Sequence, residues 1–189
     1  MANNAKTHKL VLTALMASLI MAAILFFRIP VPGTQGIVHL GDGMIFLAVL
    51  ILGAKYAILA SSVGSASANI IAGYAFWAPW TFVIKGGMAL IMGLFIWAMS
   101  GNNARSGPLK QSVIRVVGMA LAGIWMVFGY YIAGRVIYGN WAVALLGVPW
   151  DVGQSIVWIV TASALSAALC KTPARNYFVW PNRASVPQK

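Results

Sequence analysis

The feature that most constrains the fold is a succession of apolar segments with few charges inside them. There are six, at 10–27, 43–53, 56–75, 82–99, 113–137 and 152–170. A helix needs about 20 apolar residues, within a range of about 17 to 25, to cross a bilayer. The second segment is too short, so we expect it to borrow flanking residues or to begin below the membrane surface. The pattern predicts a single all-α integral membrane domain, residues 1–189, with six transmembrane helices.

The composition excludes an ordinary soluble domain. Hydrophobic residues make up 61% of the chain and charged residues 8%, whereas a soluble domain has about 25% charged residues. The net charge of +11 raises the question of a nucleic-acid partner. The basic residues are spread between the apolar segments and are not grouped with aromatic residues, so we expect the lipid bilayer and no nucleic acid as a partner.

The distribution of Lys and Arg predicts the orientation, because loops rich in these residues stay in the cytoplasm. With the N-terminus inside, Arg28, Lys85 and Arg135 are the outer three of the 13 basic residues, which leaves ten on the inner side. We therefore expect both termini in the cytoplasm, followed at the C-terminal end by a basic tail, 171–189. The first loop then lies outside, and its apolar residues predict that it packs over the bundle.

Catalytic and metal sites are not indicated. Asp42 and Asp151 are the only acidic residues, and they stand far apart in the sequence. No His, Cys or carboxylate pair has the spacing of metal ligands, and no phosphate-binding loop is present. General acid–base chemistry needs clustered ionisable groups. We expect no enzymatic activity, no metal and no cofactor.

Polar and aromatic residues are concentrated where the chain is expected to face outwards. Aromatic rings with a few polar groups suit a flat heterocyclic ligand, although Trp and Tyr also form belts at membrane interfaces. The candidate substrate-binding residues are His39, Asp42, Asn69, Tyr74, Trp77, Trp80, Lys85, Arg135, Asp151 and Gln154.

Several of these residues have a second interpretation that the sequence leaves open. Lys85 either snorkels to the interface or faces the bundle and donates to a ligand or a carboxylate. Asn69 either bonds another helix or contacts the ligand, and Arg135 is either an interface anchor or a lid residue.

The two carboxylates are both expected at outer helix starts. We expect Asp151 to act as an N-cap, with Gln154 at the capping-box position three residues on. Asp42 is expected to fix the first loop, and contact with the ligand stays open for it.

Four stretches resemble a known family: 38–42 (Val-His-Leu-Gly-Asp), 46–53, 64–74 and 78–86. They are similar to the substrate-binding S components of energy-coupling-factor (ECF) vitamin transporters, in the branch that includes riboflavin, hydroxymethylpyrimidine and pyridoxine proteins. One departure is Asn69, where much of this branch has Asp.

The resemblance implies a six-helix, non-catalytic subunit in the cell membrane of a prokaryote. Its vitamin ligand enters from outside, and its partners are a membrane scaffold subunit and two cytoplasmic ATPases. The small residues Ala14, Ala17 and Ser18 fall where this family docks on the scaffold. Small residues at such spacing allow close helix packing within one bundle as well.

The substrate expectation is a B-type vitamin, with pyridoxine or hydroxymethylpyrimidine favoured because each is small, flat and polar. Pantothenate is an alternative because its carboxylate would suit Lys85 or Arg135, and riboflavin is another. A different class of function is a stand-alone channel or carrier. That function would need an ionisable residue deep in a helix, and the charged residues are all expected near the outer interface.

Overall fold

A computed structural model of the protein describes residues 2–30, 37–100 and 107–169, together with Thr172. This part of the chain is almost entirely helical, with one small hairpin near the start. In chain order the elements are α1 (Ala2–Phe26), β1 (Arg28–Pro30), β2 (Ile37–His39), α2 (Gly41–Leu52), α3 (Ala54–Ile71), a 3₁₀ turn (Ala75–Trp77), α4 (Ala78–Ser100), α5 (Pro108–Tyr138), α6 (Trp141–Leu145) and α7 (Val148–Leu169).

Each predicted apolar segment corresponds to a helix, but the helix ends differ. α1 and α5 begin eight and five residues before their apolar segments, because polar turns continue a helix beyond its apolar part. α3 ends at Ile71, before the predicted 75, and Gly73 follows with a φ of +87°, a conformation that favours glycine. The short helix α6 was not predicted.

Four described helical stretches are long and apolar enough to cross a membrane: Lys6–Phe26, Ala75–Met99, Leu109–Tyr138 and Trp141–Leu169. α2 is apolar but has only 12 residues, as its short segment predicted. The all-α membrane architecture is therefore confirmed. Crossing by all six segments and the cytoplasmic position of both termini stay predictions, and the basic tail lies outside the described residues except for Thr172.

Small residues hold α3 between α1 and α4. A Cβ atom at Gly64 would lie 2.5 Å from the backbone carbonyl oxygen of Ala17, so the two helices approach to backbone contact. Ala17 thus packs against α3, whereas the neighbouring Ala14 and Ser18 are exposed on the adjacent face of α1. The small residues of α3 therefore serve internal packing, and those of α1 divide between two faces.

The first loop returns to the bundle as an antiparallel hairpin of β1 and β2. Arg28 pairs with His39 and Pro30 with Ile37, and the Leu40 backbone N–H donates to the Phe27 carbonyl at 3.2 Å. β1 is exposed, while the β2 side chains are partly or fully buried. The predicted packing of this loop over the bundle thus holds for β2, and residues 31–36 lie outside the described part.

Candidate functional site

A pocket opens at the end of the bundle where β2 lies next to the starts of α4 and α7. It encloses a volume of about 60 Å³. Its walls come from β2, the end of α3, the 3₁₀ turn and the ends of the helices around them. The lining residues are Ile37, His39, Asn69, Tyr74, Trp77, Thr81, Tyr130, Gly134, Tyr138, Ala144, Gly147, Asp151 and Gln154.

Aromatic rings form much of the pocket wall. The ring centroid of Trp77 lies 5.9 Å from that of Tyr130 and 6.0 Å from that of Tyr138, with interplanar angles of 63° and 65°. These are edge-to-face contacts, which orient the rings as well as bury them. Tyr74 adds a fourth ring. The wall is suited to stacking against a flat ligand.

A short polar chain crosses the pocket between helices. The Asn69 side-chain amide donates to the Thr81 hydroxyl at 2.7 Å, and that hydroxyl lies 3.4 Å from the Tyr130 hydroxyl. The carbonyl oxygen of the Asn69 amide has no protein partner within the described ranges. Both interpretations of Asn69 therefore describe its position, since it bonds α4 and also faces the pocket.

Beneath the pocket lies a buried ion pair between Lys85 and Asp42. The Lys85 ammonium donates to Asp42 Oδ1 at 2.5 Å, and the two side chains are 0% and 1% exposed. Gln154 donates its amide to Asp42 Oδ2 at 2.5 Å, and the ammonium also lies 5.2 Å from the Tyr130 ring centroid. A buried charge without a partner costs several kcal/mol, so this pair ties α2, α4 and α7 together.

Complete burial excludes the snorkelling interpretation of Lys85. The residue also lies ten positions after the start of the Ala75–Met99 stretch, about 15 Å along the helix. Lys85 therefore lies inside the bundle, about three turns into this stretch, and its depth in the membrane stays a prediction. A charge can be buried at this position because Asp42 neutralises it.

His39 extends this network into β2. Its backbone N–H donates to Gln154 Oε1 at 3.0 Å, and its Nδ1 accepts from the Gly41 backbone N–H at 3.2 Å. Burial lowers the pKa of the imidazole from 6.5 to about 4, and Lys85 adds to that effect while Asp42 opposes it. His39 is consequently neutral at physiological pH.

The expected capping roles are not what the structure shows. α7 begins at Val148, which places Asp151 inside its first turn, and Gln154 is engaged with Asp42 and His39. Leu40 precedes α2 without a side-chain cap, and Asp42 turns into the bundle. The long-range partners of these side chains outweigh their local preference for helix ends.

Asp151 occupies a position quite unlike that of Asp42. It lines the pocket, and its carboxylate forms no hydrogen bond or ion pair with any described residue. Its backbone carbonyl accepts from the Ser155 hydroxyl at 2.9 Å. The carboxylate oxygens are left available to whatever enters the pocket.

The predicted substrate-binding residues divide into three sets. Trp80 is partly buried against the core, and the Arg135 guanidinium lies 5.5 Å from the centroid of the Trp141 ring, so neither lines the pocket. Asp42 and Lys85 lie beneath it. The residues that do line it are His39, Asn69, Tyr74, Trp77, Asp151 and Gln154.

The sequence analysis did not select Thr81 or the α5 wall of the pocket. Tyr130, Gly134 and Tyr138 follow one another at four-residue spacing, which places them on one face of a helix. Two tyrosines separated by a glycine on one helix face are a pattern from which a pocket wall could have been predicted. It was overlooked because Tyr130 lies within a long apolar segment, away from the loops.

Comparisons with known proteins agree with this architecture. The sequence model of a family described as "ECF-type riboflavin transporter, S component" matches residues 4–171. An uncharacterised protein from Pyrococcus woesei is 35% identical over 144 residues, 76% of this chain and 89% of the relative. The thiamine precursor transporter HmpT of Lactococcus lactis is 27% identical over 179 residues, 93% of this chain and 96% of the relative. Because the match covers nearly the whole chain, the protein belongs to the family of ECF-type riboflavin transporter S components.

Proposed function

We propose that the protein captures a small aromatic vitamin precursor, hydroxymethylpyrimidine first and pyridoxine second, as the substrate-binding subunit of an ECF-type transporter. Membership of the family makes the chain a transporter component and not an enzyme. The observation that carries the proposal is the aromatic pocket at one end of the bundle. The thiamine precursor transporter HmpT, which aligns over nearly the whole chain, supports the choice of ligand.

The lining of the pocket suits a ligand with one flat, polar ring. Four aromatic side chains and a few polar ones surround the space, which is the usual composition of a site for a small heterocycle. A pyrimidine and a pyridine ring both meet this description, and riboflavin is the larger alternative that binding measurements distinguish.

The charges around the pocket weaken the argument for pantothenate. That argument relied on Lys85 or Arg135 as the partner of a ligand carboxylate. Lys85 is bound to Asp42, and Arg135 lies over Trp141 outside the lining. An anionic ligand would instead meet the Asp151 carboxylate.

Transport requires partners in this proposal. A membrane scaffold subunit docks against the exposed side of α1, where Ala14 and Ser18 are flanked by Leu15, which is 62% exposed. Ala17 supports that helix from within through Gly64. Two cytoplasmic ATPases hydrolyse ATP, and the pocket end faces the outside of a prokaryotic cell membrane.

No described observation favours a stand-alone channel or carrier. The deep ionisable residue that such a function needs is present in Lys85, but it is locked to Asp42 within the bundle. A carrier would need that pair to separate and exchange its proton, at a cost of several kcal/mol.

The proposal is tested by calorimetry on the purified full chain in lipid nanodiscs. The ligands are hydroxymethylpyrimidine, pyridoxine, riboflavin and pantothenate, and mass spectrometry identifies any small molecule that co-purifies. We expect the protein to bind hydroxymethylpyrimidine or pyridoxine and not to bind pantothenate. Tight binding of riboflavin or pantothenate alone would contradict the proposal.

Docking is tested separately by co-purification with the scaffold subunit and its ATPases. Ala14→Trp or Ser18→Trp is expected to prevent assembly while ligand binding stays intact. Val160→Phe adds an aromatic ring to the exposed side of α7, away from α1, and serves as the matched control. Normal assembly of both Trp variants would place the docking surface elsewhere.

A further inference from the structure

The pocket lining contains one acidic side chain, Asp151, and no basic side chain of the lining pairs with it. Lys85 attracts it only through a longer-range Coulombic interaction. Among the lining residues only His39 and Asp151 ionise near neutral pH, and His39 is held neutral. Asp151 is partly buried, and its carboxylate has no hydrogen bond or ion pair within the described part of the chain. A partly buried carboxylate without a partner is unfavourable, so the pocket suits a ligand that carries a complementary group.

The nearby cations are committed to other groups. The Lys85 ammonium donates to Asp42, which also accepts from Gln154. The Arg135 guanidinium lies over the Trp141 ring, outside the lining. Neither cation contacts Asp151, and the complementary group must therefore come from the ligand.

The position of Asp151 in α7 explains how a negative charge can be accommodated there, but it does not explain why the side chain faces the pocket. It lies in the first turn, where the positive end of the helix dipole favours a negative charge. An acidic residue with only that role commonly accepts from free backbone N–H groups. Asp151 accepts from none in the described ranges, so both oxygens keep their acceptor capacity.

The geometry of a carboxylate selects a particular ligand edge. An amino group beside a ring nitrogen presents parallel N–H donors to two carboxylate oxygens when that nitrogen carries a proton. Such charge-assisted, two-bond contacts are about twice as strong as neutral ones. The surrounding rings of Trp77, Tyr130 and Tyr138 also favour a cationic, flat partner.

We infer that Asp151 is the specificity-determining residue of the pocket, which binds the amino edge of an aminated heterocycle and rejects anionic vitamins. This inference rests on the proposed function, because it assumes that the vitamin precursor occupies this pocket. The free carbonyl oxygen of Asn69 provides a second acceptor for a hydroxyl group of the same ligand. The Asp151 carboxylate and the Asn69 carbonyl oxygen can both accept hydrogen bonds, so the pocket is suited to a ligand that donates them.

The test compares two ligands that differ at one group, hydroxymethylpyrimidine and its analogue in which oxygen replaces the ring amino group. Calorimetry uses the full chain in nanodiscs. The wild-type protein is expected to bind the amino compound about 10- to 100-fold more tightly, which is the range for hydrogen bonds to a charged group. Asp151→Asn is expected to remove most of that preference, and Asp151→Glu to restore part of it.

Arg135→Gln is the matched control, since it removes a charge at the same end of the bundle but outside the lining. It should keep the preference for the amino compound. Asp151→Ser provides a second variant, and the melting temperature of each variant checks that it folds.

The outcomes separate the inference from the proposed function. If the wild-type protein binds neither pyrimidine nor pyridine ligands, the proposed function fails and the inference fails with it. If it binds both analogues equally, or if Asp151→Asn keeps the amino preference, the inference alone is overturned. The comparison of ligands on the wild-type protein needs no variant, so misfolding of a variant cannot obscure the result.

Discussion

Asp42 and Asp151 are the two acidic residues of this chain, and their surroundings are opposite. Both oxygens of Asp42 accept hydrogen bonds, from Lys85 and Gln154, and its side chain is fully buried. Asp151 sits one helical turn from Gln154 and has no such partners. A rare charged residue in a membrane protein is therefore worth attention, but its rarity alone does not show whether it is structural or binds a ligand.

The largest effect is expected from breaking the buried pair. Asp42→Asn leaves the Lys85 charge buried without its partner, which should lower the free energy of unfolding by about 3–5 kcal/mol. Lys85→Ala should cause a similar loss for the converse reason. Denaturant unfolding in mixed micelles measures both changes.

The double variant Asp42→Asn with Lys85→Met is the control for this prediction. It removes both charges, so it should be more stable than Asp42→Asn alone. If the two changes simply added, the pair would not be a coupled unit, and the contrast with Asp151 would lose its basis.

The next effect concerns pH and the neutral state of His39. Because its pKa is about 4 in the folded protein and about 6.5 in the unfolded chain, only the unfolded chain gains a proton between these values. Stability from this residue is fully present above pH 6.5 and is lost as the pH falls towards 4. The difference corresponds to about 3 kcal/mol.

Unfolding measured across this pH range checks the prediction. His39→Gln should flatten the pH dependence, whereas Ser163→Ala, on α7 and away from the pocket, should leave it unchanged. An unchanged slope in His39→Gln would assign the acid sensitivity to other groups.

Gln154 links the two regions, since it donates to Asp42 and also lines the pocket. Gln154→Ala removes one hydrogen bond to a charged group and one to the His39 backbone. We expect the unfolding free energy to fall by about 1–3 kcal/mol and ligand affinity to fall with it. Ser163→Ala, also on α7 but far from the pocket, is the control for both readouts.

The smallest effect is expected at Asp151 itself. Asp151→Asn removes an unpaired, partly buried charge, which favours the folded protein, and it also removes a favourable helix-dipole interaction of about 0.3–1 kcal/mol. Any loss of stability in the ligand-free protein should therefore stay below about 1 kcal/mol. The same unfolding assay used for Asp42→Asn measures it. A loss comparable to that of Asp42→Asn would show that Asp151 is structural as well, and the comparison would collapse.

The architecture could be predicted from the sequence because a chain that crosses lipid must form long apolar helices whose backbone groups are hydrogen-bonded within the helix. The helix ends could not, since polar turns such as those at the start of α5 extend beyond the apolar part. The three-residue strands β1 and β2 are too short to show any periodicity. Their pairing depends on where α1 and α2 lie in space.

The site was predictable only residue by residue. Asn69, Tyr74 and Trp77 were selected because polar and aromatic residues are concentrated where the chain was expected to face outwards, and all three line the pocket. The pairing of Lys85 with Asp42 spans 43 positions, and the sequence does not reveal which helix faces meet. Local rules placed Gln154 at the capping-box position that accompanies Asp151, but its side chain instead donates to Asp42, 112 positions away.

The Asp42–Lys85 pair also bears on how the chain enters the membrane. Asp42 is synthesised 43 residues before the lysine that neutralises it, which corresponds to roughly 2–9 s at about 5–20 residues per second. An unpaired carboxylate or ammonium at the centre of a spanning helix costs at least about 2.5 kcal/mol. α2 has only 12 residues, so it can remain at the membrane surface until Lys85 has been synthesised. Biogenesis is therefore expected to deliver α2, α3 and α4 into lipid as one unit, with α7 joining last.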